Sequence, residues 1–224
     1  MTSQVLAIDG PAGSGKSTTA KEVARRLGLP HVESGALYRA VTLAALDAEV
    51  AFEGQRLVAL ARALPIRLDL TDTGFRPEIA GTDVSREIRS DRVTADVSEV
   101  SAIPDVRDWV NEEVRAAVGR HPRGAVLDGR DIGTVVFPDA VLKVYLTASA
   151  EERARRRLLQ VGRSVDVDAV REEVAALGAR DDADSSRAIA PLRPADDAVL
   201  LDTTVLTFDE QVNRIVELAR NLFS

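Results

Sequence analysis

The sequence feature that most constrains the fold is a glycine-rich octapeptide, Gly10-Pro-Ala-Gly-Ser-Gly-Lys-Ser17, which satisfies the pattern G-x-x-x-x-G-K-[ST]. A short, continuous apolar run at residues 5–8 precedes it and is typical of a buried strand. Residues 16–27 follow with apolar side chains at helical spacing, and Gly28 stands where a C-terminal cap belongs. Strand, glycine loop and helix in this order predict the opening unit of an α/β fold.

The residue types in this loop are those that a nucleoside triphosphate requires. Glycines let the backbone curl so that successive amides point at a phosphate, and the N-terminus of the following helix favours negative charge. Lys16 can reach the β- and γ-phosphate oxygens, while the Ser17 hydroxyl can ligate Mg²⁺. We therefore expect ATP with Mg²⁺ at the following residues: Gly10, Pro11, Ala12, Gly13, Ser14, Gly15, Lys16, Ser17 and Thr18.

Further apolar runs predict the rest of the sheet. They lie at residues 124–128, 140–146 and 198–202 and are separated by helical stretches. Runs this apolar are buried on both faces, which predicts a parallel sheet with helices on both faces. Capping boxes at Ser149 and Thr207, each with a glutamate three residues later, mark two helix starts.

Residues 66–81 have a different pattern. Apolar and polar side chains alternate on either side of a turn at residues 71–74. Alternation around a glycine turn is typical of an antiparallel hairpin. We expect this segment to be an insertion that stands off the parallel sheet.

Composition and charge exclude several classes of function. The 224 residues carry a net charge of −7, which argues against a nucleic-acid polymer or an anionic membrane as partner. Cysteine is absent, so disulfides and thiolate metal sites are excluded. No apolar run reaches the roughly 18 residues that span a bilayer. We expect a soluble, cytoplasmic protein.

The phosphate loop alone does not choose between a motor, a switch and a kinase. The Asn-Lys-x-Asp tetrapeptide of guanine-specific switches is missing, as is the apolar strand ending in Asp-Glu that motor ATPases carry. Asp128 at the end of a predicted strand is the nearest substitute, and it either holds a Mg²⁺-bound water or is an ordinary turn aspartate. The sequence favours a small-molecule kinase.

Arginines at particular spacings point to the second substrate. Arg39 follows a short strand candidate at 31–33 and a predicted helix cap at Ser34. Arg130 and Asp131 follow the strand at 124–128, and the carboxyl ends of strands are where open α/β sheets bind ligands.

Two further groups of arginines are spaced as on one helix face each. The first group is Arg180, Asp184 and Arg187, and the second is Arg153, Arg156 and Arg157. A surface salt bridge explains any one of these residues. Together the clusters favour an anionic acceptor.

Four segments resemble the bacterial cytidylate (CMP) kinases, and the resemblance covers essentially the whole chain in order. They are Asp9-Gly-Pro-Ala-Gly-Ser-Gly-Lys-Ser-Thr18, Ser34-Gly-Ala-Leu-Tyr-Arg39, Asp128-Gly-Arg-Asp-Ile-Gly-Thr-Val-Val-Phe-Pro138 and Arg180-Asp-Asp…Arg187-Ala-Ile-Ala-Pro191. The resemblance implies the P-loop nucleoside-monophosphate-kinase fold for residues 1–224. Its core would be about 1–65 and 104–224, its monophosphate-binding insertion about 66–103 and its short lid about 153–165.

The resemblance also implies an activity, namely Mg²⁺-dependent transfer of the ATP γ-phosphoryl group to CMP and dCMP by a monomer. It implies that Ser34, Arg39, Arg130 and Arg187 bind the acceptor phosphate and that Ser98, Arg107 and Asp131 read cytosine. It also implies that Arg180 and Asp184 hold the sugar and the neighbouring phosphate. Lys16, Arg130, Asp131 and Arg187 would carry catalysis. Ser17 and Asp128 would hold the metal, and Arg153, Arg156 and Arg157 would close over ATP.

Alternatives from other classes stay open at this point. One is a kinase for another small acceptor, such as UMP, a different nucleotide or a shikimate-like molecule. Another is a nucleotide-dependent switch. His31 and His121 are expected to be surface or turn residues, and Trp109, at helical spacing with three valines, is expected in the core.

Overall fold

The computed structural model describes residues 4–72 and 74–223, and side chains as far as residue 222. The described residues form two compact units, one of residues 29–125 and the other of residues 4–28 and 126–223. In the described residues the strands are β1 (Gln4–Asp9), β2 (His31–Glu33), β3 (Ile66–Thr71), β4 (Gly74–Ile79), β5 (Thr82–Asp83), β6 (Gly124–Gly129), β7 (Leu142–Thr147) and β8 (Val199–Asp202).

The helices of the described residues follow the same chain order. They are α1 (Lys16–Leu27), α2 (Gly35–Asp47), α3 (Gly54–Ala63), α4 (Asp91–Val100), α5 (Pro104–Arg120), α6 (Ala150–Gln160), α7 (Val167–Ser185) and α8 (Phe208–Phe223). A 3₁₀ turn at Glu87–Arg89 and a π-helical turn at Ile132–Val136 complete the pattern. None of the described helices is long and apolar enough to cross a membrane.

In the second unit, β6, β1, β7 and β8 are successive neighbours in one sheet. β1 pairs in parallel with β7, with Leu6 opposite Leu142, and β7 pairs in parallel with β8, with Val144 opposite Val199. β1 is buried at every position from Val5 onward, so both of its faces are covered. The predicted parallel sheet is confirmed, although β7 begins two residues later than expected.

The predicted helix boundaries in this unit are confirmed by their caps. α1 ends at Gly28, which adopts φ 66° and donates its N–H to the carbonyls of the last turn. The Ser149 hydroxyl accepts from the Glu152 amide at 3.2 Å. At the start of α8 the Thr207 amide donates to the Glu210 carboxylate at 2.8 Å, and the Glu210 amide donates to the Thr207 hydroxyl at 3.3 Å. Each capping box therefore fixes where its helix begins.

One helix prediction is wrong in part. α7 ends at Ser185, so Arg187 lies beyond the helix and does not share a helix face with Arg180. Arg187 instead reaches back and contacts Asp184. The ion pair keeps the three-residue spacing of a helical turn, although Arg187 lies just past the end of α7.

The first unit contains the predicted hairpin. β3 and β4 are antiparallel, with Ile66 opposite Ile79, and β5 extends the sheet. Of the predicted turn, Thr73 lies outside the described residues. In the same unit α2 packs against α4, and α3 packs against α5. Trp109 on α5 is 5% exposed, which confirms the prediction that it belongs to the core.

The expectation of surface or turn histidines is wrong for His31, which is buried in β2, and holds in part for His121, which lies in the turn after α5 but is also buried. The His31 ring packs edge-on against Phe75, with ring centroids 5.8 Å apart. His121 Nε2 lies 3.5 Å from a carboxylate oxygen of Asp72. An imidazole has an apolar ring face and polar ring nitrogens. It can therefore be buried where the face packs against another side chain or a nitrogen meets a polar group.

Candidate active site

The phosphate loop starts where β1 ends, and its first residue has to be glycine. Gly10 has φ 150°, a region that other residues rarely adopt. A Cβ at this position would lie 2.1 Å from the carbonyl oxygen of Leu146 on β7. The close approach of these two backbones sets the direction in which the loop leaves the sheet.

Lys16 begins α1 and is buried, with 5% of its surface exposed. Its Nζ donates to the carbonyl of Pro11 at 2.6 Å and to the Ser14 hydroxyl at 3.4 Å, so the side chain folds back over the loop. Burial, followed by the positive charge of Arg130, holds the Lys16 pKa well below its usual value. The negative charge of a nearby phosphate would raise the Lys16 pKa and so act against the effects of burial and of Arg130. The loop therefore buries an amine whose positive charge a bound anion would favour.

The two residues expected to hold a metal are in contact. Ser17 Oγ donates to Asp128 Oδ2 at 2.5 Å, which joins the start of α1 to the end of β6. Both donor atoms are oxygens, as Mg²⁺ prefers, and Mg²⁺ is held by few protein groups when phosphates supply other ligands. The described residues contain no cluster of three or more His, Cys, Asp or Glu side chains that could hold a metal. The pair fits Mg²⁺ that arrives with a nucleotide.

Asp184 gathers two of the arginines that the sequence singled out. Arg130 Nε lies 2.7 Å from Asp184 Oδ2, and an Arg187 guanidinium nitrogen lies 2.5 Å from Asp184 Oδ1. Asp184 itself is 3% exposed. Because each oxygen of one buried carboxylate faces a different guanidinium, the two positive groups are held close together in spite of their repulsion.

Asp131 precedes the π-helical turn that leaves β6. Its backbone carbonyl accepts from the amides of Val135 and Val136 at 2.9 and 3.1 Å, which fixes the wide turn. The Asp131 residue is 5% exposed, so its carboxylate lies away from bulk water. π-helical turns often occur at functional sites because they redirect side chains.

Asp9 is a site residue that the sequence analysis did not identify. Its two carboxylate oxygens accept from the amides of Ile132 at 2.9 Å and Gly133 at 2.7 Å. The last residue of β1 therefore ties the start of the phosphate loop to the turn that carries Arg130 and Asp131. The sequence does contain an indication of this role, because Asp9 is a carboxylate at the end of an otherwise apolar strand.

The ionisation of Asp9 should make the stability of the protein depend on pH. Burial outweighs the two amide contacts and raises the Asp9 pKa from 3.8 to about 6. The folded state then binds more protons than the unfolded state between these values, so this group's stabilisation is present below pH 3.8 and lost as the pH rises through 6. The loss is on the order of 3 kcal/mol.

We expect the difference in unfolding free energy between the wild-type chain and Asp9→Asn to fall by about this amount between pH 4 and pH 7. Urea unfolding at a series of pH values measures this difference. Parallel stability curves for the two proteins would contradict the assignment of the raised pKa to Asp9.

Two of the three arginines on α6 contact the phosphate loop. Arg153 donates to the carbonyl of Ala12 at 2.8 Å, and Arg156 donates to the carbonyl of Ser14 at 3.4 Å. Arg156 also binds the Thr203 carbonyl at 2.7 Å. Arg157 instead donates to Gln160 at the surface, at 3.1 Å. The structure thus brings Arg153 and Arg156 to the loop, whereas the contact of Arg157 stays within its own helix.

Asp181 on α7 is a second residue that the sequence analysis missed, although it lies in a quoted motif. Its carboxylate accepts from the Ala12 amide at 2.8 Å through Oδ1 and pairs with Arg153 through Oδ2. The quoted motif Arg180-Asp-Asp contains two adjacent aspartates, and their spacing does not indicate which of them contacts the loop. Asp182 is exposed.

In the first unit, Arg107 on α5 is connected through Ser101 to Ser98, another residue expected to read a base. Its guanidinium donates to the carbonyl of Ser101 at 2.9 Å and lies 5.5 Å from the centre of the Tyr38 ring. The Ser101 hydroxyl donates to the carbonyl of Ser98 at 3.1 Å. Tyr38 was not among the expected residues. The face of its ring stabilises the buried Arg107 guanidinium.

The remaining expected residues of this unit lie on or before α2. Arg39 donates to the Thr94 hydroxyl at 3.0 Å and to the carbonyl of Ile88 at 3.2 Å. Ser34 occupies the predicted cap position of α2, but its side chain makes no capping hydrogen bond. Its αR backbone explains the difference, because a capping side chain normally needs an extended cap residue.

Two features define the class of this protein. The serine of the phosphate loop contacts an aspartate at the end of a strand, and two arginines of the same unit pair with one buried carboxylate. Together they are typical of P-loop kinases for small anionic acceptors. The comparisons make this class more specific. The sequence model of the family described as cytidylate kinase matches residues 6–221.

Three relatives illustrate the similarity, each carrying the name cytidylate kinase. The protein from Pseudomonas paraeruginosa is 48% identical over 95% of this chain and 93% of its own length. The protein from Desulfitobacterium hafniense is 46% identical over 95% and 91%, and that from Corynebacterium efficiens is 44% identical over 96% and 93%. The chain belongs to the cytidylate kinase family.

Proposed function

We propose that this protein transfers the γ-phosphoryl group of ATP to the phosphate of CMP or dCMP, which gives ADP and CDP or dCDP. The observation that carries the proposal is the contact between Ser17 and Asp128 beside the buried Lys16. It gives the loop both a metal-binding pair and a cation for the transferring phosphate. Membership of the cytidylate kinase family supports CMP as the acceptor.

The donor nucleotide binds along the loop at residues 10–18. The helix that starts at Lys16 directs its amides toward the phosphates, and Lys16 neutralises charge on the β- and γ-oxygens. Ser17 and Asp128 would hold Mg²⁺, directly or through water. The bound ion would supply positive charge that offsets the negative charge developing during transfer.

The acceptor phosphate binds to arginines. Arg130 and Arg187 lie on the two sides of Asp184, and Ser34 and Arg39 in the first unit contribute further donors. The reaction needs no general base, since a phosphate monoester with a second pKa near ~6 is mostly dianionic at neutral pH. The protein's task is to hold two polyanions together in line, and its cations offset their repulsion.

The base is read by Ser98, Arg107 and Asp131, and the sugar is held by Arg180 and Asp184. Cytosine offers an exocyclic amine donor and two acceptors, O2 and N3, which a carboxylate and an arginine match. Uracil exchanges donor and acceptor at that edge. Each buried group then left unpaired costs about 1–3 kcal/mol, so CMP and dCMP should be preferred over UMP.

The lid comprises residues 153–165, and the monophosphate-binding insertion comprises residues 66–103. Closure of the lid would bring Arg153, Arg156 and Arg157 toward ATP and exclude water, which suppresses ATP hydrolysis. We further infer a cytoplasmic monomer. The absence of cysteine supports this location.

The division of roles between Arg130 and Asp131 can be tested by selectivity. Asp131→Ala removes the carboxylate that accepts from the cytosine amine, so the ratio of kcat/KM for CMP over UMP should fall by about 10-fold or more. Arg130→Ala should lower kcat/KM for both acceptors and change their ratio less, because both carry the same phosphate. A coupled assay of ADP formation with CMP, dCMP, UMP and AMP measures the ratios.

Two outcomes of this assay would contradict the proposal. If Arg130→Ala narrows the selectivity more than Asp131→Ala, the two residues have been assigned to the wrong parts of the substrate. If the wild-type chain phosphorylates AMP and CMP at equal rates, the assignment of Ser98, Arg107 and Asp131 to the recognition of cytosine is wrong.

A further inference from the structure

We propose that Asp181 is a positioning residue for ATP: together with Arg153 it holds the Ala12 peptide so that the phosphate loop keeps the curvature that binds the donor phosphates. The inference rests on the proposed function, because it assumes that this loop binds the donor. It differs from the roles given above, in which Asp181 has no part and Arg153 acts only on ATP.

The geometry at Ala12 is the first observation. Asp181 Oδ1 accepts from the Ala12 amide at 2.8 Å, and Arg153 donates to the Ala12 carbonyl at 2.8 Å. Asp181 and Arg153 are themselves an ion pair. Both polar groups of one loop residue are therefore held by a single pair of oppositely charged side chains.

The packing behind the loop is the second observation. Ala12 is buried in one apolar cluster with Ala154 and Leu177, which come from α6 and α7. A Cβ at Gly13 would lie 3.0 Å from the Arg153 carbonyl oxygen and 3.1 Å from a Leu177 methyl group. The rear of the loop is thus fitted against the two helices that carry the ion pair. A shift of either helix would be transmitted to the loop.

The charge of Asp181 is the third observation. A carboxylate beside a phosphate site repels the ligand unless it is neutralised. Arg153 neutralises it by forming an ion pair with Asp181. A neutral residue at position 181 could accept from the Ala12 amide, but it could not also pair with Arg153, so an aspartate serves both contacts.

The test compares Asp181→Ala with Asp182→Ala, a matched control at the next position of the same helix. Asp182 is exposed, and its replacement removes the same charge without touching the loop. Asp181→Ala should raise the KM for ATP by about 10- to 100-fold and leave the KM for CMP within about 3-fold. The dissociation constant of Mg-ADP, measured by titration calorimetry without CMP, should rise in parallel. Asp182→Ala should change neither.

Asp181→Asn provides partial rescue. Its amide oxygen can still accept from the Ala12 N–H, but the ion pair with Arg153 is lost, so the KM for ATP should lie between those of the wild-type chain and Asp181→Ala. The amide proton shift of Ala12 in ¹⁵N-labelled protein should follow the same order. A residue that only stabilised the fold would lower the melting temperature without separating the two KM values.

The proposal is overturned if Asp181→Ala and Asp182→Ala have the same KM for ATP within about 2-fold. If Asp181→Ala does not fold, Asp181→Asn decides, and an unchanged KM for ATP in that variant would overturn it as well. Failure of the wild-type chain to phosphorylate CMP would contradict the proposed function instead. The binding of Mg-ADP by the variants would still test the role of Asp181.

Discussion

Replacement of Lys16 by alanine should lower kcat with CMP by about 10²- to 10³-fold or more while CMP still binds with nearly its wild-type affinity. Lys16 is buried, and its ammonium group lies over the loop carbonyl of Pro11. In such a desolvated place a positive charge acts strongly on the charge that develops on the transferring phosphoryl group. Steady-state kinetics give kcat, and calorimetric titration with CMP gives the binding constant.

Lys21 provides the control for this experiment. It lies on the same helix and is exposed, so Lys21→Ala removes the same charge from the chain without altering the loop. It should change kcat by less than about 2-fold. Near-wild-type turnover in Lys16→Ala would mean that the loop lysine does not stabilise the transition state. Equal losses in both variants would point to a general charge effect.

Substitution of Gly10 by alanine should unfold the protein or destabilise it by about 4 kcal/mol or more. The new Cβ would lie 2.1 Å from the Leu146 carbonyl oxygen, and that oxygen belongs to the backbone of β7. Neither partner can move without breaking the pairing of β1 with β7, in which Asp9 lies opposite Tyr145. Urea unfolding of the purified variant, or its failure to appear in soluble form, measures the effect.

Gly178→Ala is the matched control. Gly178 lies within α7, and a Cβ there would meet no other atom within 4 Å. This substitution should stabilise the protein by about 0.5–1 kcal/mol, because alanine has the higher helix propensity. If Gly10→Ala were within about 1 kcal/mol of the wild-type chain, the close approach of the loop to β7 would not be a feature of the folded protein.

Local sequence signals predicted the framework of the molecule well. The apolar runs, the glycine caps and the capping boxes are short-range patterns, and the structure places β1, α1, α6 and α8 where these patterns indicated. The contact of Ser17 with Asp128 could also be predicted from the sequence. It follows from a general rule, since the loop and the strand ends meet at one edge of a parallel sheet.

What the sequence did not predict depends on contacts between distant positions. Asp181 lies 169 residues from Ala12, and Asp9 lies 123 residues from Ile132. Neither pair has a spacing that a local rule could detect. Arg187 was expected on a helix that ends before it, yet it still contacts Asp184, because their three-residue spacing brings the two side chains together just past the helix end. His31 was misjudged because its burial depends on packing neighbours that are distant in the sequence.

Phosphoryl transfer from ATP to CMP can be followed by incubating the wild-type chain with Mg-ATP and CMP and quantifying both products by anion-exchange chromatography over time. We expect equal amounts of ADP and CDP, and little ADP when CMP is left out, because the acceptor phosphate rather than water takes the γ-phosphoryl group. ADP that forms at the same rate without CMP, or without matching CDP, would contradict this expectation.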